Sequence, residues 1–123
     1  MIMIVDDDEP IRKSLQLLLT SEGYQVETAS DGGDALKKLE TVKPKIILLD
    51  IMMTPVDGLA FMQTLIERGI QKNYAIFIMT AMTDIIDKLK EMQGQGIIHD
   101  FMIKPFVFSE QFQEKIHQIV MGQ

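Results

Sequence analysis

Apolar positions along this chain fall into two alternating periods. Short runs at 1–5, 24–29, 45–49, 75–79 and 101–103 are rich in apolar or β-branched residues, and each is too brief for a helix, so each reads as a β-strand. Between and after them, apolar residues recur at helical spacing. Examples are Ile11, Leu15, Leu18 and Leu19 in the first interval and Phe112, Ile116, Ile119 and Val120 in the last. The strongest run, Ile46-Ile47-Leu48-Leu49, has no polar alternation and predicts a strand buried on both faces. Five strands alternating with five helices predict an α/β protein with a parallel sheet and right-handed crossovers.

Punctuation supports this division. Asp8 is placed to cap the first helix, with Glu9 and Pro10 in its first turn, and Gly23 to end it. Asp31-Gly32-Gly33 leads into a second helix with Ala35, Leu36, Leu39 and Val42 on its apolar face, ended by Lys43-Pro44. Asp57-Gly58 opens a third, expected to bury Leu59, Met62, Leu65 and Ile66. A fourth is expected at about 83–93, with Ile85, Leu89 and Met92 inward, and Ser109 is a candidate cap for the fifth.

The length of 123 residues fits one domain over 1–123. No apolar run approaches the roughly 18 residues of a membrane span, and no secretory leader is visible. Cysteine is absent, which excludes disulfides and a thiol nucleophile. These features lead to the expectation of a cytoplasmic protein without membrane contact. A formal charge of −6 with scattered Lys and Arg argues against direct nucleic-acid binding. The ten methionines are read mainly as core filler.

Candidate chemistry gathers where strands end. Asp6 and Asp7 follow the first run, Asp50 the third, Thr80 the fourth and Lys104 the last. Ligands of open α/β sheets bind outside the carboxyl ends of the strands. Two carboxylates about 5 Å apart repel by roughly 3 kcal/mol at an effective dielectric of 20. Three acids on one rim therefore call for a cation or for protons.

In their order and spacing, Ile4-Val5-Asp6-Asp7-Asp8, Leu48-Leu49-Asp50-Ile51-Met52-Met53 with Asp57-Gly58, Thr80-Ala81 and Lys104-Pro105-Phe106 make the chain similar to the receiver domains of two-component response regulators. The resemblance runs from residue 1 to about 121. It implies a flavodoxin-like, doubly wound fold: a five-stranded parallel sheet in order 2-1-3-4-5 with five helices on both faces. It implies a signalling phosphoprotein rather than an enzyme, phosphorylated on Asp50 by a sensor histidine kinase or phosphotransfer protein, with Mg²⁺ as cofactor. By that resemblance Asp7, Asp50 and the backbone of Met52 hold the metal directly and Asp6 acts through a bound water. Thr80 and Lys104 steady the phosphoryl oxygens, and Ala81 leaves the donor room. Phe101 stands where the family's aromatic switch residue does, on a face of fourth helix, fifth strand and fifth helix expected to carry partner docking or a homodimer. Met52 and Met82 flank the path of a hydrolytic water, which predicts slow loss of phosphate.

The sequence departs from the family pattern in three places. Proline comes five residues after the acceptor, as Pro55, with Thr54 where the family places it. The segment 94–99 is longer than usual, and Gly96-Ile97 replaces the common Gly-Ala. Two other readings remain open on the residues. A haloacid-dehalogenase-type phosphatase also uses an aspartyl nucleophile, but wants Asp-x-Asp where this chain has adjacent acids. A pseudo-receiver would lack the retained Asp7, Asp50, Thr80 and Lys104.

Overall fold

The computed structural model describes residues 1–51, 58–81, 83–103 and 110–121. Strands β1 (Ile2–Val5), β2 (Val26–Ala29), β3 (Ile46–Asp50), β4 (Ala75–Thr80) and β5 (Asp100–Ile103) alternate with helices α1 (Glu9–Ser21), α2 (Gly32–Lys38), α3 (Gly58–Glu67), α4 (Ile86–Gly94) and α5 (Glu110–Met121). All neighbouring strands pair in parallel, in the order β2-β1-β3-β4-β5. The order expected from the resemblance is the order found.

Strand periodicity divides the interior. Ile2, Ile4, Ile46, Leu48, Phe77 and Met79 face one side and pack with Leu15 and Leu19 of α1 and Phe112 and Ile116 of α5. Their chain neighbours Met3, Val5, Ile47, Leu49, Ile76 and Ile78 face the other and pack with residues of α2, α3 and α4. On the first side Phe77 and Phe112 meet edge to face, centroids 5.8 Å apart and planes at 88°. At the far end of β3 from Asp50, Lys45 Nζ donates to the Val120 carbonyl in the last turn of α5.

Several boundaries differ from the sequence expectation, each for a local reason. β2 opens at Val26 rather than residue 24 because the Tyr24 amide closes the end of α1, donating to the Leu19 carbonyl at 3.1 Å. Gly23 makes that closure possible with φ +94°, and its own amide donates to the Thr20 carbonyl. α2 stops at Lys38, yet Leu39 and Val42 still pack on the core. α4 begins at Ile86, and residues 83–85 form a turn whose Thr83 carbonyl accepts from the Ile86 amide.

α3 is rotated from the expected face. It buries Gly58, Phe61, Met62 and Leu65, while Leu59 and Ile66 are exposed. Apolar residues cover more than one stripe of this helix, so spacing alone leaves its rotation open. Gly58 decides it. A Cβ there would fall 2.5 Å from the Asp50 carbonyl oxygen and against Ile51 Cα, so the bare glycine must face the end of β3. Phe61, Met62 and Leu65 follow on the same stripe.

Candidate phospho-acceptor site

Register brings the acids together. Val5 is level with Leu49 across the β1–β3 pairing, so Asp6 and Asp50 follow at the same height on adjacent strands. Asp50 is level with Met79, and Thr80 follows one step later on β4. Carboxylate oxygens of Asp6, Asp7 and Asp50 lie within 4.8 Å of one another. Asp6 and Thr80 are fully buried, Asp50 is 6% exposed, and Asp7 faces solvent.

The turn after β1 is built on Asp6. Its amide donates to the Ala29 carbonyl of β2, and its Oδ1 accepts from the Asp8 amide at 2.9 Å. Asp8 then caps α1, its Oδ1 accepting from the Ile11 amide at 3.2 Å. Arg12, in the first turn of that helix, donates from Nη1 to the Asp6 carbonyl at 2.8 Å. Nearby, a hydrogen bond from Lys13 and its charge hold the Glu9 carboxyl below its ordinary pKa.

Such a cluster has a definite chemical bias. Three hard oxygen donors, two of them buried, repel each other and favour a small divalent cation over a soft metal. The donor set fits Mg²⁺, which accepts few carboxylates and keeps room for water or phosphate oxygens. On β5, Phe101 is level with Ile78 and packs, partly buried, against the core cluster on the side of the sheet covered by α2, α3 and α4. Thr80 lies two residues beyond Ile78, on the same face of the sheet.

The family model described as response regulator receiver domain matches residues 2–117. The chain belongs to that family. As a receiver domain it is 40% identical over 105 residues to the alkaline phosphatase synthesis transcriptional regulatory protein PhoP of Bacillus subtilis, covering 85% of this chain and 42% of that protein. Response regulator MprA of Mycobacterium tuberculosis is 34% identical over 109 residues, covering 89% of this chain and 46% of the relative. The receiver thus spans less than half the length of these curated relatives. Among solved structures, response regulator TrrA of Thermotoga maritima, crystallised in complex with Mg²⁺-BeF, superposes with a TM-score of 0.78. It is 28% identical, with 96% of each chain covered.

Of the residues expected at a receiver's site, the structure brings Asp6, Asp7 and Asp50 together and sets Thr80 on the strand beside Asp50. Lys104 and Met52 lie outside the described residues, as do Met82, Thr54, Pro55 and Ser109. Ala81, just past Thr80, is exposed. Arg12 was not anticipated. Its one sequence signal is a cation in the first turn of a helix, where the dipole disfavours positive charge.

Proposed function

We propose that this receiver accepts a phosphoryl group on Asp50 from a sensor histidine kinase or a phosphotransfer protein, with Mg²⁺ as cofactor. The observation that carries this reading is the convergence of Asp6, Asp7 and Asp50 within 4.8 Å at the carboxyl end of the sheet. Asp7, Asp50 and the Met52 backbone would hold the cation, with Asp6 acting through a water. When bound, Mg²⁺ supplies positive charge that offsets the acids and the phosphoryl oxygens. An Asp50 oxygen attacks phosphorus as the phosphorus–nitrogen bond of the donor phosphohistidine breaks. The electron pair leaves with the imidazole, which takes up a proton. Thr80 donates its hydroxyl to one phosphoryl oxygen and Lys104 its ammonium to another, placing donors where charge sits during transfer.

The phosphorylated state is read on the face of α4, β5 and α5. Thr80 moves toward the phosphoryl group and Phe101 turns inward beside it, their shared sheet face supporting the coupling. That surface controls a partner, an output domain or a homodimer contact. Overall negative charge supports a role without direct nucleic-acid contact. Among the described residues no helix is long and apolar enough to cross a membrane. A cytoplasmic location, where the donor's phosphohistidine is met, is part of the proposal.

Intact-mass measurement after incubation with Mg²⁺ and acetyl phosphate tests the reading. A single added phosphoryl group, mapped to Asp50 and absent from Asp50→Asn, is expected. Continuous turnover without a stable adduct would favour the phosphatase reading, and no adduct a pseudo-receiver.

A further inference from the structure

We infer that Arg12 is a counter-charge built into α1 for the acid site, in addition to Lys104: it eases the metal-free cluster and at the same time holds cation affinity down. The inference deepens the proposed Mg²⁺-dependent reading and rests on it. Arg12 projects from the first turn of α1 and donates to the Asp6 carbonyl at 2.8 Å. That carbonyl belongs to the residue whose carboxylate is buried in the cluster, so the guanidinium stands within roughly one Debye length of all three acids. Helix geometry alone disfavours it, because a cation in a first turn opposes the helix dipole. The Glu9 carboxylate, three residues earlier on the same helix, offsets part of that cost, since Lys13 and, to a lesser degree, the Arg12 charge lower its pKa. Beyond the helix lies a second set of acids, three converging carboxylates of which two are buried.

Arg12 is thus a positioning and electrostatic residue rather than a ligand. Its guanidinium brings one positive charge to the edge of the cluster, on a planar group already committed to the Asp6 carbonyl. A divalent cation entering the site meets that charge as a repulsion. Opposing effects on the empty and loaded states follow, and they separate this role from simple structural support.

The test uses the whole chain at low ionic strength. Arg12→Gln should lower the thermal midpoint in EDTA yet bind Mg²⁺ more tightly, by about fivefold in calorimetric titration. That figure reflects +1 and +2 charges roughly 10 Å apart in largely solvated surroundings. Arg12→Lys should restore affinity close to the parent value. In 1 M KCl the difference between parent and Arg12→Gln should largely vanish. A structural hydrogen bond alone predicts equal or weaker Mg²⁺ binding by Arg12→Gln and no dependence on salt, and either result overturns the proposal. A second arm needs no metal. In EDTA, Arg12→Gln should destabilise the parent more than it destabilises Asp50→Asn, and equal losses would overturn the counter-charge role. Failure of the Mg²⁺ reading itself has another signature: parent titrations that are unchanged by Asp7→Asn and Asp50→Asn.

Discussion

At the scale of single residues, the acid pair divides its labour by burial. Asp6 is spent on the turn, accepting from the Asp8 amide, whereas Asp7 is exposed with an oxygen free to face a cation. Asp7→Asn should therefore weaken Mg²⁺ binding by more than Asp6→Asn, for which about tenfold is expected of a residue acting through water. Calorimetric titration of the two variants checks the order, and equal losses would show the roles wrongly divided. Asp50→Asn removes one of three mutually repelling charges while keeping shape. It should raise metal-free stability by about 1 kcal/mol in urea unfolding, even as it abolishes labelling. Tyr24 carries a different pH signal. Burial first, then the nearby Glu22 charge, raises its pKa above the ordinary 10.0. The folded chain thus keeps the phenolic proton after the unfolded chain has released it, so this contribution is intact below about pH 10 and is lost as pH rises toward the folded value. Tyr24→Phe should flatten the alkaline limb of stability, measured by urea unfolding at several pH values.

At the scale of elements, α3 is where sequence spacing was least sufficient. Its apolar residues allow two rotations, and Gly58 selects one through contact with the backbone of Asp50 and Ile51. That contact is between residues from separate elements and leaves no periodic trace. Gly58→Ala should cost about 1–3 kcal/mol, because the atoms it meets are main chain and cannot swing aside. It should also disturb Asp50, so slowed acetyl phosphate labelling should accompany the drop in urea midpoint. By contrast, α1 was legible from its letters: Asp8, Glu9 and Pro10 announce its start, and the cap is observed. The strand cores were legible too, since β-branched runs have few alternatives. The convergence of Asp6 and Asp50 was legible only through resemblance, because strand order and register are non-local. Arg12 escaped because its meaning depends on a carbonyl six residues earlier.

At the scale of the whole molecule, the prediction concerns how far a change at Asp50 travels. A switch in Phe101 packing that hides or exposes some 60 Å² corresponds to about 1.5 kcal/mol, or roughly tenfold in a partner's affinity. Adding Mg²⁺ and beryllofluoride should alter amide hydrogen exchange in α4 and β5, and Phe101→Ala should confine the change to the site. Spread that is unaffected by Phe101→Ala would disprove the coupling. The sheet is also a bulkhead. Ile46 and Leu48 answer to α1 and α5, while Ile47 and Leu49, their immediate neighbours, answer to α2, α3 and α4. A methyl group deleted in one compartment leaves the other's jigsaw untouched, and paired deletions across the wall should add without interaction. Adjacent letters of one strand can therefore drift as though they belonged to different proteins.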